Sequence, residues 1–520
     1  MKILMLSSTF PYPPSRGGTQ VRTFNLLQYL NRRHDVILGT VRSPDVTDAQ
    51  IDALRGQVTE LAVFPHPRLP PQPPLGKGGL RLHQETQELL FPPPNQQTEE
   101  EFLPPPLNKG GIEGGFFPPP LGKGGLTVQP GLEEGFFASP LAPPQPPLGK
   151  GGLTVQPGLE EGFLPPPLNK GGTEGGFSEI IGKFHRFSRF LLSGTPPNVL
   201  SSYSQAMQNW ADELVTAGKC DVVTCEHSVN EIYVRPEWRQ KVLTVANIHS
   251  SVWGTCREML ATGTSEKPLR DRLNLPLLAR YEKRYCSKFS RIVATTSTDR
   301  EQLLELLLSP VRVRGKQDFF VPPIDVIPNG VDLTQFPYRS IDPGGHTLIF
   351  AGAMNNLPNI DAARFLSLQI LPPLQQRYRD ATLTLVGASP VPEVLALGEL
   401  PGIQVVGRVQ RVAEYLHQAA VCVVPMRIGF GIKNKTLEAM AAGTPVVASD
   451  RGLEGLAVDG GPQLRRALRA NNVQEYVEAI ASLFENQQLR QELSVSARSL
   501  VESQYTWDII GRQYDRLLQF

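Results

Sequence analysis

The chain has no excess of either charge, with 51 lysines and arginines against 50 aspartates and glutamates and a formal net charge of +1. Nucleic-acid binding favours a concentrated basic face, so this balance gives no reason to expect a nucleic-acid partner. Cysteine is scarce: Cys220, Cys225, Cys256, Cys286 and Cys422 are the only five. No two pairs stand at finger-like spacing, which argues against a zinc site and for small apolar side chains in a reducing compartment. No apolar run reaches the roughly 18 residues of a membrane span. The opening Lys2-Ile3-Leu4-Met5-Leu6 turns polar at Ser7, too early for a signal-peptide core. A cytoplasmic protein is expected, able to rest on the inner face of the cell membrane. The fingerprint G-x-G-x-x-G is also missing after the first apolar segment, which removes an NAD-linked oxidoreductase.

Proline and glycine, by contrast, are concentrated. Residues 67–179 hold 24 of the 49 prolines and 21 of the 47 glycines. The unit running from Pro120 to Phe136 recurs 27 residues later, from Pro147 to Phe163, with shorter relatives at Pro74, Pro106 and Pro167. Proline removes backbone donors and glycine raises the entropy cost of ordering, so this composition resists helix and sheet. The repeat raises a solenoid, but each unit has too few apolar residues to bury against a neighbour. A disordered or loosely extended low-complexity insertion in a surface loop is expected, with a polyproline partner site as its functional rival.

The rest divides into two α/β halves. Ile3 to Leu6, a turn at Pro11 to Gly18, a helical pattern through Val21, Phe24, Leu27 and Leu30, and the strand Asp35 to Gly39 form one βαβ unit. Further strands are expected at Asp221–Cys225, Lys241–Val245 and Arg291–Thr295. In the second half they are expected at Thr347–Ala351, Ala381–Val386, Ile403–Val406, Val421–Val424 and Pro445–Ala448, with helices over 360–368, 412–418 and 435–442 between them. This is the pattern of doubly wound sheets, with a cleft at the carboxyl ends of their strands. The expected division is 1–66 and 180–325 for an N-terminal Rossmann-like domain, 67–179 for the insertion, 326–345 for a linker and 346–500 for a C-terminal Rossmann-like domain. Residues 501–520 form a last helix that packs back on the N-terminal domain.

Two loops carry candidate chemistry. Gly17-Gly18 follows the first strand, where backbone amides can approach a phosphate; a plain turn is the competing reading. The denser candidate is Pro425 to Met440, leading from a strand into a helix. Its glycines Gly429 and Gly431 permit close backbone approach, and helix-start amides with Arg427, Lys433 and Lys435 can neutralise a diphosphate. Glu438, one turn past Lys435, can accept hydrogen bonds from a vicinal diol such as ribose. A capped surface helix with solvated lysines is the bland alternative.

The Pro425–Met440 segment resembles the donor-site signature of glycosyltransferase family 4 (group 1 type), P-L-R-x-G-G-G-T-R-L-K-x-L-E-A-M-A-x-G-x-P-V-V. Supporting matches are Gly352-Ala353-Met354-Asn355-Asn356-Leu357-Pro358-Asn359, Ile327 to Asp332, Gly443-Thr444-Pro445-Val446-Val447, the Pro13–Gly18 loop and Leu453-Glu454-Gly455-Leu456. The resemblance implies the GT-B fold, two Rossmann-like domains facing across a cleft. It also implies retaining transfer of a sugar from a nucleotide diphosphate sugar, with no metal cofactor, to a glycan- or lipid-linked acceptor, as in polysaccharide biosynthesis. It places donor contacts at Gly17, Gly18, Gly352, Met354, Asn356, Gly429, Phe430, Gly431 and Glu438. Glu438 matches the second glutamate of the E-x7-E element; the first falls at Phe430, where the subgroup often has glycine. His249 stands where relatives carry a histidine near the transferred sugar, and a capping histidine is the alternative. With Arg427, Lys433, Lys435 and Glu438 it completes the catalytic candidates. A weakly catalytic nucleotide-sugar-binding protein and a scaffold acting through the insertion are the rival functions. Lys183, Arg186 and Arg189 interleave with Phe184, Phe187, Phe190 and Leu191, a pattern for either a core-facing helix or one in peripheral membrane contact.

Overall fold

The computed structural model describes residues 1–14, 17–66, 190–191, 194–265, 267–310, 320–429, 431–459 and 465–519. The repeat segment, Phe430 and most of the Lys183–Leu191 pattern lie outside the described residues.

The first lobe is a seven-stranded sheet in the order β3-β2-β1-β4-β5-β6-β7, every neighbouring pair parallel. Its strands are β1 (Lys2–Ser7), β2 (Asp35–Arg42), β3 (Glu60–Pro65), β4 (Val222–Glu226), β5 (Leu243–Ile248), β6 (Arg291–Ala294) and β7 (Ile324–Val326). The second lobe is a six-stranded parallel sheet, β10-β9-β8-β11-β12-β13, built from β8 (Thr347–Ala351), β9 (Thr382–Val386), β10 (Ile403–Gly407), β11 (Val421–Val424), β12 (Val446–Ala448) and β13 (Leu468–Arg469). Strands such as β4 and β11 are buried along their whole length, because helices cover both faces of a parallel sheet.

Four helices position the site: α1 (Gly18–Asn31), α2 (Leu357–Phe365), α3 (Asn434–Ala442) and α4 (Trp507–Leu518). Helix α3 ends on Gly443 in the left-handed conformation, φ 78°, where glycine avoids the clash a Cβ would make. Helix α4 leaves the second lobe and packs on the first, with Trp507, Ile510, Tyr514, Leu517 and Leu518 in one core with Leu26, Leu27 and Leu30 of α1. The crossing points touch: Val331 N–H donates to Tyr505 O at 2.8 Å.

Some boundaries differ from the sequence expectation. The strand expected at Lys241 begins at Leu243, because the turn Pro236–Gln240 engages the next amides, Val242 N–H donating to Trp238 O at 2.9 Å. The helix expected from Ile360 starts at Leu357, with Pro358 in its first turn, where no intrahelical N–H is lost. It then continues through the wider π turn Leu366–Ile370.

Candidate active site

Strand order reverses between β1 and β4 in the first sheet and between β8 and β11 in the second. Such reversals open a crevice beyond the strand ends, and both crevices hold predicted site residues. The β1 loop ends at Gly17 and Gly18, which start α1; the β11 loop, residues 425–433, ends at the start of α3.

The loops meet. A Cβ placed on Gly18 would lie 4.0 Å from Asn434 Nδ2, so the N-termini of α1 and α3 converge. Gly431, at φ 76°, packs so closely against the first lobe that a Cβ would stand 3.0 Å from His249 O. Gly352, after β8, leaves room for the ammonium of Lys435, which a Cβ would approach to 2.9 Å. Gly429, at φ 92°, packs on Pro358.

Lys435 donates to Asn359 Oδ1 and lies 4.5 Å from the Phe350 ring centroid. Loss of solvent, with Lys433 as a second positive charge, lowers its pKa to about 7. The Glu438 carboxylate makes no hydrogen bond among the described residues, and loss of solvent raises its pKa to about 7 against the opposing pull of Lys435. A basic group and an acid with open valences thus lie together on the first two turns of one helix.

The other predicted cations are differently engaged. Arg427 grips Asp361 through two nitrogens, Nε at 3.0 Å, and its guanidinium stands 4.5 Å from the Phe365 ring centroid. Lys433 is buried, donates to Gly431 O and pairs with Glu454 at 3.5 Å; burial lowers its pKa to about 8. Its place is under the glycine loop, which it stitches to Glu454. Met354 is fully buried in the second-lobe core, while Asn356 is exposed as the residue preceding α2.

On the first lobe, His249 follows β5 and His227 follows β4, their ring centroids 5.1 Å apart. Burial, then His227 and Arg22, hold the His249 imidazole well below its usual pKa, so it is neutral near pH 7. Beneath them Asn247 donates to Glu226 Oε1 at 2.9 Å and to Tyr514 Oη at 2.7 Å. Arg22, 1% exposed, donates to Pro328 O and Asn329 Oδ1, and Asn329 donates on to Asn434. Sequence reasoning missed His227, Arg22, Asn329 and Asn434. His227 was readable in principle, since it follows a predicted strand as His249 does. Among the described residues no group of three or more His, Cys, Asp or Glu is placed to hold a metal ion.

Residues 345–486 match the family model described as glycosyl transferases group 1. The chain is a GT-B relative of the group 1 glycosyl transferases. A phosphatidyl-myo-inositol mannosyltransferase of Mycolicibacterium smegmatis is 29% identical over 202 residues, 37% of this chain and 51% of the relative. A glycogen synthase of Mycobacterium tuberculosis is 27% identical over 198 residues, 36% and 46% of the two chains. The chain thus spans about half the length of the curated relatives it matches. Anabaena HepE, solved with UDP, superposes with a TM-score of 0.52 at 12% identity over 100% of both chains. The sucrose-phosphate synthase of Thermosynechococcus elongatus superposes at 0.53 and 15% identity over 100% of this chain and 98% of that one. At such identities the likeness establishes the GT-B fold, which agrees with the two sheets found here.

Proposed function

We propose that this GT-B protein transfers a sugar from a nucleotide diphosphate sugar to a glycan or lipid-linked acceptor, with retention at the anomeric carbon. The observation that carries this reading is the convergence of two helix N-termini at Gly18 and Asn434. Each N-terminus presents partial positive charge and unpaired amides, so their approach favours an anion between them. Lys435 adds a full charge on one side, and Glu438 stands one turn on to accept from a ribose diol. In the reaction the bond from the anomeric carbon to the diphosphate oxygen breaks and a bond to the acceptor oxygen forms. The acceptor proton leaves with the nucleotide diphosphate. Amides and cations fixed in advance stabilise charge on the departing phosphate. Residues 67–179 we read as a low-complexity insertion in the sequence of the N-terminal domain. Among the described residues no helix is long and apolar enough to cross a membrane, and a lipid-linked acceptor would be met by peripheral contact.

Phenylalanine at position 430, where the family has glutamate or glycine, favours a second reading: nucleotide-sugar binding with weak turnover. The deciding experiment measures nucleotide diphosphate release from UDP-, GDP- and ADP-sugars by the intact chain and by Glu438→Ala. The HepE complex with UDP-glucose puts UDP-sugars first in the panel. Selective release that falls in the variant supports transfer. Binding of one donor without release, in the presence of cell lipid and glycan extracts, supports the second reading.

A further inference from the structure

His227 holds a backbone conformation that L-residues avoid, φ 86° and ψ 143°, directly after β4. Such a conformation costs about 1–3 kcal/mol and persists where the surroundings over-determine it. Three contacts do so here. The His227 N–H donates to Asn247 O at 3.1 Å, its carbonyl accepts from Asn230, and its Nδ1 accepts from Val229 N–H at 3.3 Å. A ring whose Nδ1 accepts must carry its proton on Nε2 when neutral. That Nε2–H has no partner among the described residues, and the ring is half-buried, tilted against His249. Asn247, the residue that fixes its backbone, is itself fixed by Glu226 and Tyr514. On the far side of His249, Gly431 of the donor loop touches its carbonyl.

We infer that His227 is an acceptor-contacting residue: its Nε2–H donates to a hydroxyl oxygen of a neutral polyol acceptor at the first-lobe wall of the cleft. The inference rests on the transferase reading and adds to it the atom that holds the acceptor hydroxyl. His227 keeps its proton throughout, because the proton released in transfer leaves with the departing phosphate. A neutral donor orients a hydroxyl without competing for that proton.

Asparagine and glutamine separate this role from a structural one. Asparagine reproduces the Nδ1 contact to Val229 but places nothing where Nε2 stands. Glutamine extends an N–H to the Nε2 position. With methyl α-glucoside as surrogate acceptor and the donor found above, His227→Asn is expected to raise the acceptor KM roughly tenfold, the equivalent of one lost hydrogen bond. Acceptor-independent donor hydrolysis and nucleotide diphosphate binding stay unchanged, and His227→Gln recovers most of the loss. Equal behaviour of His227→Asn and the parent, or equal loss in both variants, overturns the inference. A second arm needs no turnover: nitrogen-15 spectra of the histidine rings should show the Nε2–H tautomer at His227 and a shift of that resonance with UDP and methyl α-glucoside. If the parent turns over no donor, the transferase reading fails, and the spectrum alone decides His227: a shift sustains the contact and its absence overturns it.

Discussion

Lys435 and Glu438 are each displaced from their ordinary titration range toward about 7, in opposite directions and for the same reason, loss of solvent. A lysine whose folded pKa lies below its free value costs stability in full below the folded pKa. The cost fades as pH rises toward 10.5, since the unfolded chain binds the extra proton in that window. Replacing Lys435 with methionine should therefore raise the melting temperature at pH 6 and lose that gain by pH 10, while nucleotide diphosphate affinity falls at least roughly tenfold. Thermal scans at the two pH values and a calorimetric titration with UDP check both halves. A melting gain equal at both pH values would place the cost in packing rather than charge. These two residues were legible in the sequence because the helix carries them one turn apart in a recognisable run. Their environment was not legible: Asn359 and Phe350 reach Lys435 from elements far away in sequence. Arg427 and Lys433 show the converse, since the run that named them gave no hint of Asp361 or Glu454.

Among the elements, the loop of residues 425–433 is held from the second lobe against the first. Gly431 combines a positive φ with a backbone neighbour on the other lobe. Alanine there meets a left-handed backbone penalty of about 1–2 kcal/mol and an oxygen that cannot withdraw without moving His249. Gly431→Ala is expected to lower donor turnover more than it lowers the melting temperature, because the strain is relieved by parting the loop from β5. Donor KM against thermal midpoint, measured on one preparation, tests this. The strands flanking the loop were readable because they are buried on both faces and appear as short apolar runs. Strands β7 and β13 were not, for they are part-exposed edge segments of three and two residues with a weak apolar signal, whereas β3 carries the apolar run Leu61-Ala62-Val63-Phe64 and was readable in principle. The long helix Pro268–Cys286 was missed for a different reason: Pro276 sits inside it, and its apolar residues are spread around the axis.

At the scale of the whole molecule, the first lobe is closed by the last helix. Helix α4 supplies five apolar side chains to the core over α1, with Asp515 accepting from His34 at 2.7 Å and Gly511 seated against the Tyr29 ring. Burying such residues contributes about 1.5–3 kcal/mol each, so their sum is comparable with the roughly 5–15 kcal/mol stability of a domain. A chain ending at Gln504 is expected to keep the second lobe folded and to lose the first. Hydrogen exchange would show α1 unprotected and α3 protected, and equal protection of α1 in both chains would refute it. Residues 501–520 were expected to form a helix packing back on the N-terminal domain; which element they meet there, α1, is visible only in the structure.

The pairing of α1 with α4 also sets a schedule. Arg32 and its partner Asp508 are 476 residues apart, and a ribosome adding about 10 residues per second needs roughly 50 s to make the second after the first. During that interval the apolar face of α1 has emerged and its cover has not been synthesised, whereas every strand of the second sheet, through Arg469, precedes α4 in the chain. The first lobe therefore cannot close its core over α1 until α4 has been made, although α1 is among its earliest elements.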